Sequence, residues 1–270
     1  MARKIQLVSE LADQTAREVT QNVDNWKHYL HTASRFYKYS FNDQLLIYAQ
    51  RPDATACAAM EIWNDKMRRW VKAGAKGIAL IHESESGRPR LEYVFDVADT
   101  RPVRGAKMPY LWEMRQEYHA SVLTALENQY GESSTQDLGK RLMEIASFAV
   151  KKIYPEYLRD LDYDTKKDFL EGLNTLNVKG CFGNTLTASV QYTLLVRCGL
   201  EPSDYLEDKK LEGITAFSTP DVLHHLGDAV STLSMGILQE IGRAIRTQDK
   251  ERLQNPIEKA EKPLEKIERI

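Results

Sequence analysis

Residues 35 to 55 read RFYKYSFNDQLLIYAQRPDAT, and the organisation of the first hundred residues follows from them. From Asn42 to Gln50 the apolar residues Leu45, Leu46, Tyr48 and Ala49 fit a short helix. Asn42 is placed to cap its start, and Arg51-Pro52-Asp53 ends it, because a proline pushes the preceding residue out of the helical region. Upstream, Trp26, Tyr29, Leu30, Ala33, Phe36 and Tyr37 recur at three- and four-residue intervals, which predicts a helix from Asp24 to about Tyr39 with Lys27, Arg35 and Lys38 off its apolar stripe. A further amphipathic helix is expected from Ile5 to Thr20. Downstream come Glu61-Ile62-Trp63, Trp70-Val71-Lys72 and the turn Gly74-Ala75-Lys76-Gly77. Ile78 to His82 and Leu91 to Val97 then read as antiparallel strands separated by the polar turn Glu83 to Pro89. The expected unit is α+β: helices plus a small antiparallel hairpin.

Beyond the hairpin, Arg101-Pro102-Val103-Arg104-Gly105 has linker composition and the pattern changes. Helices are expected at Pro109 to Asn128, Thr135 to Lys152, Thr165 to Leu176, Asn184 to Cys198 and Pro220 to Arg246. Thr165 with Asp168 has capping-box spacing, and Thr219 before Pro220 is a start signal with proline at the first helical position. The fold class is therefore an α+β N-terminal domain, residues 1–105, followed by a mostly α-helical domain, 106–247, and a charged tail, 248–270. The tail, interrupted by proline, has too little apolar surface to bury.

Composition removes several classes of function. With 42% hydrophobic and 28% charged residues the 270-residue chain reads as globular and water-soluble. It shows no apolar signal core and no run long enough to span a bilayer, so a cytoplasmic protein without membrane partners is expected. Cys57, Cys181 and Cys198 suit neither a disulfide framework nor a zinc knuckle and read as reduced core residues. His224 and His225 adjoin each other, so their side chains diverge around a helix, and they read as surface residues. No phosphate-binding glycine loop is present. Asp160, Asp162 and Asp164 have the alternate spacing of a calcium loop, but Lys166 and Lys167 stand where oxygen ligands are needed. They read instead as an acidic turn at a helix start. No catalytic residue, metal site or cofactor is expected.

Charge is distributed unevenly. The formal charge is −2, yet Trp26 to Lys76 carries nine Lys/Arg against Asp43, Asp53, Glu61 and Asp65, a local +5. A basic face attracts phosphates by counterion release. Aromatic residues Tyr37, Tyr39, Phe41, Tyr48, Trp63 and Trp70 are interleaved with these cations, the combination that holds single strands by phosphate contacts and base stacking. Trp26, Phe36, Phe41, Leu45 and Trp63 are also natural core residues.

The central stretch, with Trp63, the block Arg69-Trp70-Val71-Lys72-Ala73-Gly74-Ala75-Lys76-Gly77-Ile78 and the strand Tyr93 to Thr100, resembles the N-terminal domain of ArdC-type antirestriction proteins, over residues from about 20 to 102. The resemblance implies non-sequence-specific binding of single-stranded DNA in a plasmid or conjugative-transposon protein concerned with antirestriction or DNA transfer. Candidate DNA-binding residues are Arg35, Lys38, Tyr39, Asn42, Gln44, Gln50, Arg51, Arg69, Lys72 and Lys76. Tyr39, Arg51, Lys72 and Lys76 are favoured, because helix ends and turns reach solvent. The segment Ala188-Ser189-Val190-Gln191-Tyr192, followed by Arg197 to Tyr205, resembles the end of the zincin-type peptidase domain of the same family. Asn184, Leu186 and Ala188 stand where that family has its acids, so the resemblance implies a degenerate scaffold that holds no zinc. The rival reading is a non-catalytic module that docks a host or element-encoded protein; a metal-dependent hydrolase lacks its ligands.

Overall fold

Ser40, two residues before the expected cap, starts the helix of the central stretch. Its Oγ accepts from Asp43 N at 3.2 Å and its hydroxyl donates to Asp43 Oδ2 at 2.8 Å, so cap and first turn hold each other. The structure, a computed structural model, describes residues 2–164 and 175–254. It opens with α1 (Ala2–Val19), α2 (Val23–Arg35) and α3 (Phe41–Gln50). The second helix stops at Arg35 rather than Tyr39. Phe36 leaves helical geometry at φ −103° and ψ 28°, and the carbonyls of Phe36 and Tyr39 turn toward the buried Gln44 amide.

The strands are β1 (Cys57–Ala59), β2 (Arg69–Val71), β3 (Ile78–Glu83), β4 (Pro89–Asp96) and β5 (Thr100–Pro102). As expected, β3 and β4 form an antiparallel hairpin, in register from Ile78 opposite Val94 to Glu83 opposite Pro89. The unexpected β1 pairs with the other side of β4, giving the order β1-β4-β3. A separate two-stranded ribbon joins β2 to β5, with Trp70 opposite Arg101. Arg101 and Pro102 are therefore ribbon residues, not a free linker, and Val103 N and Lys107 N extend the pairing to Arg68 O and Met67 O.

The remainder is helical: α4 (His119–Tyr130), α5 (Leu138–Asp164), α6 (Thr175–Arg197) and α7 (Pro220–Gln254). Residues 109–118 do not begin a long helix. They lie across α7 as a strap, with Trp112 in the core and the hydroxyls of Tyr110 and Tyr118 donating to Asp249 at 2.9 and 2.6 Å. Asp137 caps α5 through Lys140 N, and Asp160, Asp162 and Asp164 fall in the last turns of α5, not at a helix start. The capping box at Thr165 and Asp168 lies outside the described residues. The expected tail is helical at first, as α7 runs to Gln254; residues 255–270 also lie outside the described residues.

The change of pattern near residue 105 does not separate two cores. Trp26, Tyr29, Leu30, Phe41 and Leu45 belong to the same buried cluster as Leu126, Leu142, Leu186, Leu226 and Ile237. Trp26 Nε1 donates to Ser189 Oγ on α6 at 2.8 Å. Phe41 lies so close to Gly227 on α7 that a methyl group there would overlap its ring. His224, expected on the surface, is half-buried and meets Phe41 edge-on at 5.3 Å. Phe36, Leu46, Ile47, Ile78, Leu80 and Val94 form a smaller cluster between α3 and the sheet.

One buried side chain ties these parts together. Gln44, 3% exposed, accepts from Tyr29 Oη at 3.1 Å, and its amide nitrogen reaches Phe36 O, Tyr39 O and Ser231 Oγ at 3.1, 2.9 and 3.2 Å. Replacing it with leucine leaves those partners without the amide in a dry environment. Gln44→Leu is expected to cost about 2–4 kcal/mol. Because the core is shared, urea unfolding followed by tryptophan fluorescence and by circular dichroism should give one coincident transition, shifted to lower urea in the variant.

Candidate nucleic-acid interface

The ten candidate residues separate into those used up inside the fold and those left facing solvent. Arg35 donates from Nε to Ala54 O at 2.9 Å and also binds Pro52 O, so its fork holds the chain that leaves α3. Gln44 is in the core. Gln50 closes the outer edge of β3: its Nε2 donates to Ala79 O and its Oε1 accepts from Ala79 N, both at 2.9 Å. A side-chain amide thus takes the place of a neighbouring strand and blunts an open edge. Gln44 and Gln50 are thus engaged inside the fold, while Arg35, half-buried, also lines a cleft beside the ribbon. Tyr39 is only half available, because its hydroxyl donates to Cys57 O at 2.7 Å and its ring packs edge-on against Phe36. Asn42 is exposed on the first turn of α3, and Lys38 is exposed beside the Tyr37 ring.

Arg51, Arg69, Lys72 and Lys76 are brought near the β2–β5 ribbon. Arg51 forms an ion pair with Asp99, and Lys72 Nζ donates to Ala98 O at 2.8 Å in the same turn. Arg69 Nε donates to Thr100 Oγ1 at 2.8 Å across the ribbon. Lys76 is exposed on the turn between β2 and β3.

What sequence reasoning missed is the second strand. Residues 66–76 and 100–107 together contain eight Lys/Arg and no Asp or Glu, and β2 and β5 lay these segments side by side. The cations are Lys66, Arg68, Arg69, Lys72, Lys76, Arg101, Arg104 and Lys107. All but Arg69 are exposed, and none makes an ion pair among the described residues. Pairing across the ribbon also lays Arg101 over Trp70, 5.5 Å from the ring centroid. Trp70 is 51% exposed, whereas Trp26, Trp63 and Trp112 are 0%, 2% and 5% exposed and donate their indole N–H to Ser189, Phe95 O and Tyr37. Arg68 adopts φ 52°, a left-handed conformation uncommon for a residue with a side chain. Such strain is more often kept at functional positions than elsewhere. The signal that could have pointed here was the absence of acids from both segments, read as a pair.

Beside the ribbon, a cleft of about 240 Å³ opens between the turn that follows α2, β1, Met67 and the strap at Pro109 to Trp112. Its lining includes Arg35, Lys38, Tyr39 and Arg197. A second cleft, of about 570 Å³, lies on the far side of the helical part, lined by Ser147, Asn184, Thr185, Ala188, Gln191 and Lys210 among others. Of the positions compared with peptidase acids, Leu186 and Ala188 are buried and Asn184 is exposed. Among the described residues, no three His, Cys, Asp or Glu are grouped to hold a metal ion.

One histidine does lie between carboxylates. His82 on β3 donates from Nε2 to Asp43 Oδ1 at 3.0 Å and from Nδ1 to Glu92 Oε2 at 2.9 Å, linking α3 to the hairpin. Both ring nitrogens are held by carboxylates, so this arrangement bridges α3 and the hairpin. Comparison of the chain with family models, with curated proteins and with solved structures finds no match.

Burial disfavours the charged form of His82, but the hydrogen bonds and charges of Glu92 and Asp43 outweigh it and hold its pKa above the ordinary imidazole value. A raised folded pKa contributes stability that is fully present below the unfolded value and is lost as pH rises through the folded one. The urea midpoint of the protein should therefore exceed that of His82→Gln most at about pH 5–6, and the gap should narrow toward about pH 8–9. A gap that widens with pH would show that the bridge is not an imidazolium.

Proposed function

We propose that the protein binds single-stranded DNA without sequence preference, using the β2–β5 ribbon as its principal surface. The observation that carries this reading is the acid-free ribbon with its exposed Trp70. Eight unpaired cations offer contacts to a phosphate backbone, and a half-exposed indole offers a flat face to a base. A stacked duplex keeps its base faces covered, so an exposed indole favours an unpaired strand. Nothing on the ribbon offers the paired, oriented amides that read base edges in a sequence-specific way. The resemblance of residues 20–102 to the ArdC-type domain supports DNA as the polymer. It also supports antirestriction or strand transfer in a mobile element as the setting. The ribbon surface proposed here keeps Arg69, Lys72 and Lys76 and adds Trp70, Arg68, Arg101, Arg104 and Lys107, whereas Gln44 and Gln50 are engaged inside the fold.

Trp70 makes the test specific, because it is the exposed tryptophan while the other three are buried. Titration with oligothymidylate should quench the exposed part of the tryptophan emission, and Trp70→Phe should bind with that signal removed. Trp70→Ala should lower affinity by roughly 1–3 kcal/mol with little change in salt dependence, since stacking releases few ions. Arg101→Gln with Arg104→Gln should instead reduce the slope of log K against log salt by about 0.7 for each phosphate no longer neutralised. Equal affinity for a duplex of the same length would contradict the single-strand reading. No binding to either polymer would leave the protein-docking reading in its place.

A further inference from the structure

Arg197, at the end of α6, is a half-buried guanidinium without a carboxylate partner. It stands 3.5 Å over the Trp112 ring centroid and 5.8 Å from that of Tyr37, and one N–H donates to Trp112 O at 2.7 Å. Glu113 acts on it only at a distance, and no ion pair reaches it among the described residues. Taking a guanidinium partly out of water without an opposing charge is costly. Arg197 lines the cleft beside the ribbon, and a planar fork of this kind matches the oxygens of a phosphate.

The basic lining continues beyond Trp112. A third cleft, of about 310 Å³, lies between Trp112 and α7 and is lined there by Gln239, Gly242, Arg243 and Arg246. Lys38, Tyr37 and Trp112 line both clefts, so the two are contiguous around the Trp112 ring. Neither lining contains an Asp or Glu. Arg246 lies 4.8 Å over the Tyr110 ring, and Arg243 has only a surface pair with Glu240. At the near end, Met67 lines the first cleft while its carbonyl accepts from Lys107 N in the ribbon.

We propose that these two clefts form a phosphate track, anchored by Arg197, that carries the single strand from the ribbon across the strap onto α7. This rests on the reading of the ribbon as a single-strand surface and extends it to the helical part, which becomes half of the binding site. Lys38 belongs to this track, and the ring faces of Tyr37 and Trp112 are occupied by cations that face phosphates rather than by bases.

The test uses the full chain and a labelled oligothymidylate of about fifteen nucleotides, long enough to cover more than one basic patch. Arg243→Gln with Arg246→Gln should lower affinity and reduce the slope of log K against log salt by about 1.4, two phosphates at about 0.7 each. Trp70 quenching at saturation should stay at its wild-type amplitude. Arg197→Lys keeps the charge and removes the fork, so it should weaken binding while leaving the slope nearly unchanged. A wild-type slope in the α7 double variant, with folding verified by circular dichroism, would overturn the track and leave the ribbon reading intact. A reduced slope in that variant without any Trp70 quenching in the unmodified protein would overturn the ribbon reading and, with it, a track that begins at the ribbon. Absence of binding by the unmodified protein would remove both.

Discussion

The Gln44 amide is the group on which the arrangement of both halves depends. It receives the Tyr29 hydroxyl from α2, holds the carbonyls of the turn that follows, and meets Ser231 on α7. Those carbonyls belong to the turn between α2 and α3, and a buried turn must find donors for its carbonyls. By drawing them inward, Gln44 ends α2 early and sets the direction in which Lys38 and Tyr39 leave the core. Ser231 Oγ donates to Tyr39 O at 3.1 Å, so a helix far along the chain completes the same turn. A satisfied polar network of this kind specifies one relative placement of its elements, where apolar packing alone tolerates several. The clefts beside Trp112 depend on that placement: the turn lines both, and α7 supplies the other wall of the one that contains Arg243 and Arg246.

Against this satisfied network around Gln44 stands a surface that folding does not explain. The three buried tryptophans each donate their indole N–H, and the buried charge of Asp96 accepts from Thr55, Ala56 and Ala98. The ribbon does the reverse. It gathers eight cations without a counterion, exposes an indole and keeps Arg68 in a left-handed conformation. Like charges held side by side repel, and an exposed tryptophan forgoes the stabilisation of burial. Features that cost stability and are not relieved internally are the ones a ligand is suited to relieve, and a polyanion with unstacked bases relieves both kinds.

Much of the fold could be read from the pattern of apolar residues, and the reasons for the failures are specific. The β3–β4 hairpin was legible because alternation and a polar turn are local signals. The helices were legible in kind, but their ends moved where tertiary contacts took over: α2 stops for Gln44, α3 starts at Ser40, and the strap stays extended because Tyr110 and Tyr118 reach Asp249. The short strands β1 and β5 carry too few residues to show a period, and β5 was hidden further by Pro102 and Gly105, which look like a linker out of context. At the site, residue type misled wherever a polar group had an internal partner. Gln44, Gln50 and Arg35 have the right chemistry to bind a nucleic acid, but each is already bound to the backbone. Trp70 and its neighbours could be suspected from composition, yet their function as one surface depends on a pairing between segments thirty residues apart.

The division into a binding domain and a separate helical domain therefore gives way to a different picture. The N-terminal helices bury Trp26 and Phe41 against α6 and α7, so neither part has a closed core without the other. The strap then crosses from the ribbon to α7, and Trp112, which inserts there, is both a core residue and a wall of two basic clefts. Gly242 belongs to this arrangement for a physical reason: a side-chain carbon at that position would come within 2.8 Å of the Trp112 indole nitrogen. The same insertion that seals the core thus makes Trp112 a shared lining of the cleft that holds Arg197 and of the one that holds Arg243 and Arg246. A helical part that supplied packing alone would have no need to line open clefts with these guanidinium groups; in the proposed reading they continue the charged surface of the ribbon.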